Sequence, residues 1–161
     1  MRRFITTAAL LATVLQFALV KPTPAHADEG MDISRGSDRP PSPGSPQFFT
    51  GEVTVTPLFD PTSYSATSGG QVSFSPCARS AWHTHPAGQT LIVTAGTGWV
   101  QEWGAPKRQI AAGDVIVTAP GVKHWHGAGT EDAMTHIAIQ NSVDGTNVEW
   151  LEHVTDDQYN A

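Results

Sequence analysis

The run Ser80-Ala81-Trp82-His83-Thr84-His85-Pro86-Ala87-Gly88-Gln89-Thr90-Leu91-Ile92-Val93-Thr94-Ala95-Gly96 sets the architecture that the rest of the chain has to complete. His83 and His85 stand two apart, and in an extended backbone such side chains project from one face. Two neutral imidazoles on one face are half of a metal site. Pro86-Ala87-Gly88 reads as a turn or bulge, and Gln89 opens the β-branched stretch that follows, with its amide available as a third ligand. The second half is offered by Gly113-Asp114-Val115-Ile116-Val117-Thr118-Ala119-Pro120-Gly121-Val122-Lys123-His124-Trp125-His126, which carries another strand, another Pro-Gly turn and another His-x-His. The chain is built to bring these two stretches together.

Around them the text is all-β. Short runs rich in Val, Thr, Ile and aromatics are broken by Gly, Pro, Asp or Ser clusters, which predicts strands over 52–56, 71–75, 81–85, 89–94, 98–103, 107–111, 114–118, 124–127, 133–140 and 148–153. So many short strands in one domain suit a jelly roll or small barrel, which leaves few edges exposed. Thr155-Asp156-Asp157-Gln158 matches a capping box and predicts a short C-terminal helix.

The strand over 133–140 has two unlike faces. Met134, His136, Ala138 and Gln140 share one, and Thr135, Ile137 and Ile139 share the other. In a barrel enclosing a polar site the face with His136 and Gln140 points inward. Ile137 and Ile139 then face outward as an apolar stripe, which predicts a homo-oligomer, a dimer or tetramer. By the same alternation Trp82 and Trp125 lie opposite the histidines and pack an outer layer. Val72, Phe74 and Leu91 are expected in the core, with pocket walls as their other reading.

The first residues are set aside from the fold. Met1-Arg2-Arg3, the apolar run from Phe4 to Val20 and the small-x-small site Ala25-His26-Ala27 read as a secretory signal peptide over 1–27. Its removal leaves an exported chain, periplasmic or secreted, of ordinary single-domain length that needs no membrane. Loss of Arg2, Arg3 and Lys21 takes the formal charge from −6 to −9, which excludes nucleic acid as a natural partner and leaves a small molecule. Residues 28–46, with Pro40, Pro41, Pro43 and Pro46 among Gly, Ser and charges, read as a flexible tether, so the folded domain is expected over 47–161. Cys77 is the only cysteine; it cannot form an internal disulfide and is expected to pack as a small apolar residue.

The spacing His83-Thr84-His85, Gln89, Gly96, followed by Gly113, Ala119-Pro120-Gly121, His124, resembles the two motifs of the cupins, whose double-stranded β-helix barrel supplies the ligands of one divalent metal. Four positions depart from that pattern: Cys77 for the opening Gly, Gln89 for Glu, Ala119 for Pro and Ala128 for Asn. Only Gln89 touches the metal. The stretches 81–98, 123–128, 134–136, 139–140 and 152–156 are similar to the small bacterial cupins with manganese-dependent hydroxynitrile lyase activity. The resemblance implies His83, His85, Gln89 and His124 as metal ligands and a lyase that splits cyanohydrins such as (R)-mandelonitrile into aldehyde and hydrogen cyanide, or joins them.

Neutral ligands leave a divalent ion its full +2 charge, where a glutamate would lower it to +1; this favours Lewis acidity over redox cycling. Oxygen and nitrogen ligands accept Mn2+, Fe2+, Co2+, Ni2+ or Zn2+ alike, and manganese comes from the resemblance. His126, on the face of His124, and His136, from another strand, are the acid/base candidates, His136 as base. Gln140 or His126 steadies or protonates the departing cyanide. Two other readings stay open: an exported cupin that binds or senses a small molecule without turnover, and a quercetinase-like dioxygenase.

Overall fold

The structure is a computed structural model in which residues 30–161 are described. The signal peptide expected over 1–27 lies outside the described residues. Ile33–Ala161 forms one compact unit. In chain order, after a 3-10 turn at Gly36–Asp38, its strands are β1 Ser42–Pro43, β2 Phe49–Thr50, β3 Val53–Phe59, β4 Thr67–Phe74, β5 Arg79–Ser80 and β6 His83–Thr84. They continue as β7 Gln89–Glu102, β8 Arg108–Ala111, β9 Val115–Thr118, β10 His124–Ala128, β11 Met134–Asn141 and β12 Glu149–Trp150, with helix α1 Asp156–Asn160 last.

The strands make one curled antiparallel sheet in the order β1-β3-β4-β11-β7-β10-β5-β2, with β8 and β9 on β7 and β6 bridging β10 and β12. Two expected strands, 89–94 and 98–103, merge into β7. Its first half pairs β11 and β9, and its second half pairs β10 and β8. The strand turns between the two halves at Gly96, where φ is +71° and an added Cβ would sit 1.8 Å from the Ala133 carbonyl oxygen. Only glycine fits so close an approach. The bend places β10, which carries His124 and His126, beside the same strand that holds Gln89 and pairs with His136.

Period-two burial follows the expected faces. Met134, His136 and Ala138 are buried while Thr135, Ile137 and Ile139 are half-buried on the outside. Val53, Val72, Phe74, Val93, Val100, Ile110 and Met134 form the inner core. Trp82 and Trp125 pack an outer layer with Val154 and Tyr159, so the C-terminal segment covers the back of the histidine-bearing strands. Tyr159 donates its hydroxyl to Ala128 O at 2.8 Å, and the capping box expected at Thr155 and Gln158 is formed.

Two readings are corrected. The tether expected over 28–46 ends early, because Ser42 and Pro43 pair with Val55 and Thr54 as an edge strand. Composition weighs apolar burial and misses backbone hydrogen bonds, and a proline is tolerated on a sheet edge. Cys77 is exposed and has φ of +67°, the left-handed conformation that explains why glycine is usual at this place in the motif.

Candidate metal centre and active site

Strand pairing builds the centre. His124 sits opposite His83 in register, their rings 4.3 Å apart between centroids. His85 follows on the same face, and the ligand atoms of His83, His85 and His124 all lie within 4.8 Å of one another. Gln89 Oε1 is 3.1 Å from His124 Nε2. These are the four residues that the motifs single out, arranged around one point.

Each of these three imidazoles is oriented through its Nδ1. The Nδ1 of His83 donates to Ala81 O at 2.9 Å, that of His85 to Asn147 O at 2.6 Å, and that of His124 to Val122 O at 2.9 Å. A backbone carbonyl can only accept, so all three rings are fixed as the Nδ1–H tautomer with the Nε2 lone pair turned to the common centre. His85 Nε2 is buried without a partner. A buried orphan acceptor is costly unless something occupies the centre, and a divalent ion fits this neutral donor set. Burial keeps the rings uncharged: it pushes His124 down to about 4, lowers His85, and with the repulsion of His124 holds His83 well below its usual value.

His126 and His136 stand beside this centre as a pair. His136 Nε2 and His126 Nδ1 are 3.1 Å apart, and the remaining ring nitrogens, His126 Nε2 and His136 Nδ1, are buried without partners. Phe74 lies under both rings at 5.8 and 5.5 Å. Burial lowers His136 to about 4, and burial with the proximity of His136 holds His126 well below its ordinary value.

His83, His85, Gln89, His126, His136 and Gln140 contribute the polar lining of a cavity of about 250 Å³, with His124 behind it. Phe49, Val55, Val72, Ala138, Val148 and Trp150 form apolar walls. Trp150 is 4.9 Å from His83 between centroids, stacks on Phe48 and meets Phe49 edge-on. Of the three residues weighed as walls, Val72 lines the cavity, whereas Phe74 supports the histidine pair and the buried Leu91 lies outside the lining. Phe49, Val55, Val148 and Trp150 were not anticipated. For Trp150 and Val148 the signal was present, since they share a face of the strand expected over 148–153.

The chain is matched by the cupin domain family over residues 70–139. It is 51% identical over 129 residues to a protein named (R)-mandelonitrile lyase from Granulicella tundricola, covering 80% of this chain and 98% of that one. Among solved structures it resembles a cupin-like protein from Thermotoga maritima, with a TM-score of 0.71 and 44% identity over 80% of this chain and 95% of that one. It shares the fold of a cupin-2 domain from Rhodospirillum rubrum, with a TM-score of 0.61 at 14% identity over 80% of this chain and 84% of that one. The folded barrel, the two-motif histidine centre and these relatives together place the chain in the cupin family, as an enzyme of the (R)-mandelonitrile lyase type.

Proposed function

We propose that this enzyme cleaves cyanohydrins of aromatic aldehydes, (R)-mandelonitrile among them, into aldehyde and hydrogen cyanide and catalyses the reverse addition, with one divalent ion, manganese, held by His83, His85, Gln89 and His124. The observation that carries the reading is the juxtaposition of that neutral donor set, a histidine pair and an apolar, aromatic-walled cavity. It joins the name of the Granulicella relative to a site suited to an aryl substrate. A divalent ion in such a site supplies Lewis acidity, its +2 charge undiminished by the ligands.

The histidine pair handles the proton. Only one hydrogen fits between His136 Nε2 and His126 Nδ1, so when both rings are neutral one of the two outer nitrogens is a bare acceptor and the other carries N–H. With the acceptor on His136, its Nδ1 takes the hydroxyl proton as the carbonyl forms and the C–C bond breaks toward cyanide. His136 passes its Nε2 proton to His126 Nδ1, and His126 gives its Nε2 proton to cyanide. Protons balance, and the pair ends as the opposite tautomer, the form needed for the reverse reaction; loss of the His136 Nδ1 proton to solvent, return of the shared proton to His136 Nε2 and uptake of a proton at His126 Nε2 reset it for the next cleavage. Low ring basicity suits a relay whose members return to neutral. Gln140 donates Nε2–H to Ser68 Oγ at 3.3 Å and keeps Oε1 unpaired. That oxygen is an acceptor, matched to a hydroxyl or to hydrogen cyanide rather than to the cyanide anion.

The test is benzaldehyde release from racemic mandelonitrile by the chain starting at Asp28, stripped of metal and reloaded separately with Mn2+, Fe2+ and Zn2+. Turnover restored by metal and absent in His83→Ala supports the lyase; one ion bound without turnover removes the substrate assignment. Export through the Ala25-His26-Ala27 site is likewise proposed, and N-terminal sequencing of the extracytoplasmic protein checks it. Among the described residues no helix is long and apolar enough to cross a membrane.

A further inference from the structure

Behind the cavity lies a polar junction centred on Ser68, a residue that neither motif contains. Ser68 is buried, on β4, in register opposite Gln140 on β11. Its hydroxyl oxygen accepts from Asn147 Nδ2 at 3.2 Å and from Gln140 Nε2 at 3.3 Å. Those two bonds use both lone pairs, and the remaining hydrogen is directed at Gln140 O, 3.4 Å away. With its lone pairs so engaged, Ser68 holds two amides that have different tasks. The first is Asn147, whose own carbonyl fixes the ring of His85 at 2.6 Å. The second is Gln140, whose Oε1 is thereby turned away from Ser68 and left buried without a partner at the cavity.

Asn147 depends on this anchor. It follows a tight turn closed by Val143 and Thr146, with Asp144 and Gly145 both at positive φ, and the pairing of β12 with β6 begins only two residues later. Among the described residues its side chain makes one hydrogen bond, the one to Ser68.

We infer that Ser68 is a positioning residue of this site: one hydroxyl couples the loop that orients the metal ligand His85 to the amide that lines the substrate cavity. The coupling to Gln140 rests on the proposed lyase reading; the coupling to His85 does not. Ser68 belongs neither to the histidine cluster nor to the lining of the cavity. Without its hydroxyl, Asn147 loses the bond that sets the height of its carbonyl, His85 is free to turn its ring, and the Gln140 amide is free to rotate by half a turn and exchange its acceptor for a donor.

The experiment measures Mn2+ affinity by competition with a chelating indicator, in the absence of substrate, for wild type, Ser68→Ala, Asn147→Ala, the double variant and Ser68→Thr. Loss of an outer partner of a metal ligand weakens binding about 10- to 100-fold; Ser68→Ala leaves that partner, the Asn147 carbonyl, in place but unanchored, and is expected at the lower end, about 10-fold. Asn147→Ala is expected to match it and the double variant to fall no further, since both remove one bond. Ser68→Thr, which keeps the hydroxyl, is expected within a few-fold of wild type. In the turnover arm, Ser68→Ala at saturating Mn2+ lowers kcat with KM little changed, and Gln140→Leu adds nothing in that background. Wild-type Mn2+ affinity in Ser68→Ala, full additivity with Asn147→Ala, or a Thr variant as poor as Ala overturns the inference. Should Ser68→Ala fail to fold, Asn147→Ala alone decides the metal arm. An inactive wild type removes the lyase reading and leaves the metal arm to decide this one.

Discussion

Metal-free protein should be acid-labile well above the pH at which carboxylates titrate. In the fold burial holds His124 and His136 at about 4, against about 6.5 for a free imidazole. Below 6.5 the unfolded chain therefore binds protons that the folded chain refuses, and stability falls as the pH falls. The contribution of each ring is fully present above 6.5 and is lost progressively down to about 4. A difference of about 2.5 units is roughly 3.4 kcal/mol per ring over the whole window, of which about 2 kcal/mol is gone by pH 5. Two rings make about 4 kcal/mol at pH 5, and His83, His85 and His126 are shifted in the same direction. Set against a total of about 5–15 kcal/mol for a domain, that is enough to bring apo protein near its midpoint. The assay is urea denaturation of chelator-treated protein at pH 8, 7, 6 and 5, followed by tryptophan fluorescence. His136→Gln, which cannot charge, should flatten the slope by about 2 kcal/mol between pH 7 and 5. Bound metal should move the loss to lower pH, since protons and metal compete for the same lone pairs. Equal apo stability at pH 7 and 5 would falsify the claim that these rings are buried uncharged.

Other consequences can be measured separately. His83→Ala should abolish stoichiometric metal binding in equilibrium dialysis, because it removes the proposed ligand that stands opposite His124 in register. His126→Ala and His136→Ala should each retain metal and lose at least about 100-fold in turnover; full turnover in His136→Ala with loss in His126→Ala would reverse the assignment of the base. Trp150→Ala, which deletes the wall between Phe49 and His83, should raise KM for mandelonitrile more than for an aliphatic cyanohydrin; equal changes would deny it a part in aryl recognition. Cys77→Gly should stabilise the protein by about 1 kcal/mol in thermal melts, since its φ of +67° is strained for any side chain with a Cβ.

What the sequence determined by itself is whatever depends on alternation and spacing. Period two put His83 beside His85, His124 beside His126, and Trp82 and Trp125 on the far side, and all of these follow from backbone geometry that no packing alters. The resemblance of the two motifs to those of the cupins added the barrel and named a candidate ligand set, and Thr155 with Gln158 announced the final helix. The tertiary structure decided everything that depends on distance across the sheet. Gly96 could be read as a break, yet it bends one strand so that β10 and β11 meet on either side of it. The 3.1 Å approach of His136 to His126 follows from that bend. The aromatic wall comes from Phe49 and Trp150, which are about a hundred residues apart and face one cavity only because β2 pairs with β5 and β12 with β6. Ser68 was illegible for the same reason: a serine in a strand has a meaning only once Asn147 and Gln140 are known to reach its hydroxyl.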